Sequence, residues 1–151
     1  MGVKSRFKES LRCNEKPSDP PRRGGRVLYV DDEEALKLLA RRVLERLGFQ
    51  VTATTDPAEA VRLFASRPAD FDAVVTDLAM PVMSGFECAK AMLAVRPDVP
   101  IILTSGFLRP EDERRALELG IREVIPKPST MDKLGCALER LLAAPRPPHS
   151  R

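Results

Sequence analysis

Five residues of this chain combine the side-chain types and the spacing that handling phosphate requires: Asp31, Asp32, Asp77, Ser105 and Lys127. Each stands at the end of a short apolar run. Asp31 and Asp32 follow "RVLYV", Asp77 follows "AVVT", Ser105 follows "PIILT", and Lys127 follows "EVI" and one proline. A single aspartate in such a place is ordinarily a turn or cap residue, because its carboxylate bonds nearby backbone amides. Three carboxylates meeting a hydroxyl and an ammonium make a different case. Unit charges about 4 Å apart repel by about 4 kcal/mol at an effective dielectric of 20, so the cluster needs a raised pKa or a bound cation. Oxygen ligands alone suit Mg2+ or Mn2+, and such sites commonly take a phosphate oxygen as well. Lysine adds a point charge for that phosphate and serine a donor. The set points to phosphoryl chemistry on the protein itself, with Asp77 as the nucleophile.

These residues meet only if the fold gathers the strand ends. The pattern predicts strands at 26–30, 49–53, 73–76, 100–104 and 123–125, alternating with amphipathic helices. In the first helix Leu36, Leu39, Val43 and Leu47 are expected on the core face, with Gly48 as its stop. Asp56-Pro57 reads as an N-cap with proline at the first helical position. Phe86, Ala89 and Leu93 align on a helix from Ser84 to Val95, and Pro110 opens another that ends at Gly120. Met131, Leu134, Leu138 and Leu141 line the last. Five βα units of this length predict an α/β fold, a doubly wound parallel sheet in the flavodoxin-like order 2-1-3-4-5 with helices on both faces. Ligands of such sheets bind beyond the carboxyl ends of the strands, which is where all five residues fall.

Composition narrows the partners. The net charge of +3 divides into +5 over residues 1–26, −4 in the middle and +2 over residues 144–151. The basicity therefore belongs to the ends, and direct nucleic-acid binding is not expected. Residues 1–25 read as a flexible, basic, proline-containing arm or linker, 26–143 as the folded domain, and 144–151 as a proline-rich tail. No apolar run approaches the ~20 residues of a membrane helix, and no signal peptide opens the chain, so a cytoplasmic protein without membrane insertion is expected. The three cysteines lack metal spacing. The single histidine, His149, lies in the tail, which excludes a histidine base or a histidine-rich metal site. With neither G-x-x-x-x-G-K-[ST] nor G-x-G-x-x-G present, a bound nucleotide is not expected.

Taken together and in order, "VLYVDDEE", "VVTDLAMPVMSG", "PIILTSG" and "IPKP" resemble the receiver domain of a two-component response regulator across residues 26–142. The resemblance implies that Asp77 accepts a phosphoryl group from a phosphohistidine on a histidine kinase or a histidine phosphotransfer protein. It implies that Asp32 and Asp77 ligate the cation directly, that the Ala79 backbone carbonyl is a third protein ligand, and that Asp31 acts through water. Lys127 would pair with the phosphoryl group, Ser105 would be the switch hydroxyl, and Lys127-Pro128 would be a cis bond. The domain would switch a protein-interaction surface, toward a target or toward a second copy, and would not be an enzyme in its own right.

Two positions depart from the family pattern. Val124 stands where many receivers place an aromatic switch residue, and Ala79, two beyond the acceptor, cannot orient water through a side chain. The short stretch after the last helix leads to the expectation that no DNA-binding output domain follows, leaving a stand-alone receiver or the receiver of a hybrid histidine kinase. A haloacid-dehalogenase-like phosphatase also combines an aspartate nucleophile with Ser/Thr, lysine and Mg2+, but it would show D-x-D at the first strand. A pseudo-receiver used only for binding is the third reading.

Overall fold

The computed structural model describes residues 25–127 and 130–143. The expected arm, apart from Gly25, the expected tail, and the Lys127-Pro128 bond fall outside those residues. Five strands, β1 (Arg26–Val30), β2 (Gln50–Thr54), β3 (Ala73–Asp77), β4 (Ile101–Ser105) and β5 (Glu123–Pro126), form one parallel sheet in the order β2-β1-β3-β4-β5. This is the predicted order. The helices are α1 (Glu34–Arg46), α2 (Pro57–Ser66), α3 (Gly85–Val95), α4 (Pro110–Leu119) and α5 (Thr130–Ala143).

Alternation along each strand sends side chains to two cores. Leu28, Val30, Val74, Ile101 and Leu103 pack with Phe64, Phe86 and Met92 on one face. Val27, Tyr29, Val75, Ile102 and Ile125 pack with Leu44, Leu134 and Leu138 on the other. Every residue of β3 and β4 is buried, as expected for central strands covered on both faces. Each buried aliphatic side chain contributes about 1.5–3 kcal/mol.

Local signals set the helix ends. The Asp56 carboxylate accepts the Ala58 N–H at α2. Ser84 and Glu87 form a reciprocal capping box at α3. Gly48 and Gly120 end α1 and α4 at φ +101°, a backbone region that glycine enters without strain.

Several predicted boundaries shift by one residue. β2 begins at Gln50 because Phe49 turns into the core before the strand starts. β3 and β4 run through Asp77 and Ser105, so both residues sit within the sheet's last rung. The core face of α1 also differs. Ala40 and Leu44 are its buried residues, while the expected Leu39 is 45% exposed. Ala40 and Leu44, four residues apart on one helical face, are the positions that enter the core, and Leu39 lies off that face.

Candidate functional site

The rim at the carboxyl ends of β1, β3 and β5 holds three carboxylates and one ammonium. One oxygen from each of Asp31, Asp32 and Asp77 lies within 4.8 Å of the others. Lys127 reaches into this group. Its Nζ lies 3.1 Å from Asp31 Oδ2 and 3.3 Å from Asp77 Oδ1. Asp31 is fully buried and Asp77 nearly so, whereas Asp32 is exposed.

Backbone bonds hold each of these positions. The Asp31 N–H donates to the Thr54 carbonyl, extending β1 along its neighbour. Leu78 N–H donates to the Thr104 carbonyl at 2.8 Å, tying the residue after Asp77 to β4. Lys127 N–H donates to the Ser105 carbonyl, also at 2.8 Å, so the lysine's main chain is fixed to the end of β4. The Gly85 N–H then donates to the Leu78 carbonyl at 2.9 Å, drawing the start of α3 toward Asp77. A Cβ at Gly85 would stand 2.4 Å from the Asp77 carbonyl oxygen, so only glycine permits that approach.

Electrostatics follow from this crowding. Burial raises the Asp77 pKa; the Lys127 charge opposes it, and the charges of Asp31 and Asp32 add to it. The balance is a pKa pushed up to about 6. Burial of Lys127 works against its charge, but the Asp31 hydrogen bond and the two carboxylate charges outweigh it, so its pKa stands above the ordinary lysine value. The ammonium is thus a fixed positive charge, and Asp77 is a carboxylate whose ionised form wants a cation. Oxygen ligands of this charge, one of them open to solvent, fit a hard divalent cation such as Mg2+ or Mn2+.

Asp31, Asp32, Asp77 and Lys127 are brought together as the sequence suggested. Ala79 lies on the exposed loop two residues past Asp77. Ser105 ends the strand beside β3, yet its hydroxyl is bonded to Phe107, donating to the carbonyl at 2.9 Å and accepting the N–H at 3.1 Å. Space beside Gly106 is open: a Cβ at that position would meet no atom within 4 Å.

Sequence reasoning passed over Tyr29, whose hydroxyl donates to Asp31 Oδ2 at 3.4 Å. The signal was present: two residues before Asp31 on a strand is the same face. Thr104, set aside in favour of Ser105 as the switch hydroxyl because Gly106 follows Ser105, is level with Asp77 in register, and its buried hydroxyl has no hydrogen-bond partner among the described residues.

Comparison with known proteins places this geometry. Residues 27–139 match the family described as response regulator receiver domain. The response regulator SaeR of Staphylococcus epidermidis is 34% identical over 117 residues, covering 78% of this chain and 50% of SaeR. The chain thus spans about half the length of that relative. The non-phosphorylated HemR receiver domain from Leptospira biflexa superposes with a TM-score of 0.76 at 32% identity, covering 82% of this chain and 98% of that one. The receiver domain of the sensor histidine kinase PA1611 from Pseudomonas aeruginosa gives a TM-score of 0.71 at 26% identity, covering 80% and 99%. In that structure a magnesium ion is coordinated in the active-site cleft.

Proposed function

This chain belongs to the response regulator receiver domain family, the phosphoacceptor domains of two-component signalling, and from that membership we propose that Asp77 is its phosphoacceptor. The observation that carries the assignment is the shared lysine: Lys127 bridges Asp31 and Asp77 while Asp32 stands beside them. Asp77 is the carboxylate of the three that lies on a central strand, held by β3 and capped by the Leu78 bond to β4.

Asp32, Asp77 and the Ala79 carbonyl, with Asp31 through water, would hold a magnesium or manganese ion, which would supply positive charge to offset the carboxylates and the phosphoryl oxygens. The rest is done by the chain. An ionised Asp77 oxygen attacks the phosphorus of a partner's phosphohistidine; the new O–P bond forms as the P–N bond breaks, and the imidazole leaves with the electron pair. Lys127 supplies positive charge to the transferring group. Ser105 donates its hydroxyl to a phosphoryl oxygen after giving up Phe107. Little covalent work is asked of these residues, since phosphoryl transfer is mainly positioning and charge stabilisation.

The proposed donor is a histidine kinase or histidine phosphotransfer protein, and the proposed output is a phosphorylation-dependent protein contact, either a target or a second copy, without direct nucleic-acid binding. No turnover beyond the chain's own phosphorylation is proposed. Among the described residues no helix is long and apolar enough to cross a membrane, and a cytoplasmic location is the proposed one.

The test is intact mass after incubation with acetyl phosphate, with Mg2+ and then with EDTA, beside Asp77→Asn. A Mg2+-dependent gain of one phosphoryl group that disappears in the variant supports the assignment. No gain in the wild type, together with no beryllofluoride binding, would leave a binding module that keeps the site without the chemistry.

A further inference from the structure

Tyr29 lies in β1 and Asp31 one residue past its end, where the Asp31 N–H to the Thr54 carbonyl continues the pairing, so the two share a face of the sheet. Tyr29 is 2% exposed and packs among Val27, Leu44, Val75 and Leu138. Any large aliphatic side chain would fill that volume. A phenol there must also find a partner for its hydroxyl, and the partner is Asp31. Asp31 Oδ1 accepts the Glu33 N–H at 3.0 Å, while Oδ2 takes both the Lys127 ammonium at 3.1 Å and the Tyr29 hydroxyl at 3.4 Å. The phenol bond is long for O–H···O, as expected where a charged donor already occupies the same oxygen.

Resting on the receiver reading above, we propose that Tyr29 is a positioning residue of the phosphorylation site, whose phenol holds the Asp31 carboxylate in orientation when Lys127 turns from it toward a phosphoryl group. As the ammonium leaves, Tyr29 is the donor that remains on Oδ2 among the described residues. A buried carboxylate oxygen stripped of donors is costly and free to rotate. The phenol prevents both, closing to ordinary hydrogen-bond distance. Outer partners of this kind fix the orientation of metal-site ligands.

The chain has one tyrosine and no tryptophan, so its intrinsic emission reports on this single contact. The experiment titrates the full chain with Mg2+, then with Mg2+ and beryllofluoride, following tyrosine emission, with calorimetry measuring Mg2+ binding in parallel. Emission is expected to change saturably with the calorimetric midpoint and again on adding beryllofluoride. Tyr29→Phe, which keeps the ring, is expected to weaken Mg2+ binding about three- to tenfold while still accepting phosphate at saturating Mg2+. Flat emission through a titration in which calorimetry shows binding overturns the proposal, as does a Tyr29→Phe protein with wild-type Mg2+ affinity. The emission titration decides on the wild type alone should the variant fold poorly. Absence of Mg2+ binding and of a phosphoryl adduct in the wild type would instead overturn the receiver reading, and this inference with it.

Discussion

The Ser105 hydroxyl is bonded twice to one residue, donating to the Phe107 carbonyl and accepting the Phe107 N–H. It cannot keep the first bond and also donate to a phosphoryl oxygen, because a hydroxyl has one proton. Phosphorylation of Asp77 therefore frees the Phe107 carbonyl if Ser105 is the switch hydroxyl, and a hydroxyl that moves toward the phosphate also withdraws from the Phe107 N–H. The ring of Phe107 is 77% exposed, whereas β5 offers only Val124, packed against the core. Amide hydrogen exchange at Phe107 is expected to accelerate on adding beryllofluoride to the wild type. In Ser105→Ala it is expected to be fast from the outset and unresponsive. Unchanged exchange in the wild type would place the readout elsewhere.

Asp77 makes stability depend on pH with a definite sign. Its pKa rises from the ordinary 3.8 to about 6 in the folded state, so the folded form holds the proton more tightly than the unfolded one. The stability this gives is fully present below the unfolded value and is lost as pH rises through about 6. Without divalent cations, urea unfolding of the wild type is expected to show that loss. Asp77→Asn, which cannot ionise, is expected to be more stable than the wild type at neutral pH by on the order of 1–2 kcal/mol. Mg2+ is expected to narrow the difference. An Asn variant less stable than the wild type at neutral pH would show that Lys127 already compensates the repulsion.

Much of this was legible in the chain because burial writes itself into sequence. The all-buried β3 and β4 read as "AVVTD" and "IILTS", and Gly120 and Asp56 announce helix ends by their own backbone chemistry. The strand order then placed Asp31, Asp77 and Lys127 on one rim. What spacing does not encode is which oxygen a side chain takes. Lys127 bonds Asp31 across 96 residues, a contact set only once the sheet is assembled, and Ser105 turns back on Phe107 in a local bond that competes with the role its position suggests. The α1 face was misread at Leu39 because a leucine outweighs an alanine in any apolar count, although Ala40 is the residue against the sheet.

Gly85 carries a steric prediction. Besides the Asp77 carbonyl at 2.4 Å, a Cβ there would stand 2.8 Å from Leu103 Cδ1 and 2.9 Å from Leu78 Cα. Two of these neighbours are backbone, so relief requires moving the strand that holds Asp77. Gly85→Ala is expected to cost about 1–3 kcal/mol in denaturant unfolding and to slow phosphorylation by acetyl phosphate. A variant of wild-type stability and rate would mean that α3 can slide without disturbing Asp77.

Ala79 sits exposed two residues beyond Asp77, the proposed acceptor, and its side chain has nothing with which to bind water. Hydrolysis of the aspartyl phosphate needs a water held in line with the breaking bond, and at this position the wild-type side chain provides no hydrogen bond to hold one. Ala79→Asn adds an amide that can orient the water and is expected to shorten the phosphate lifetime. One hydrogen bond of ordinary strength corresponds to about a fivefold rate change. Ala79→Arg adds bulk and positive charge beside the phosphoryl oxygens, screening them from attack, and is expected to lengthen the lifetime. The check is loss of the phosphoryl mass with time after the phosphodonor is removed. Identical decay in all three proteins would show that the attacking water is held from another direction.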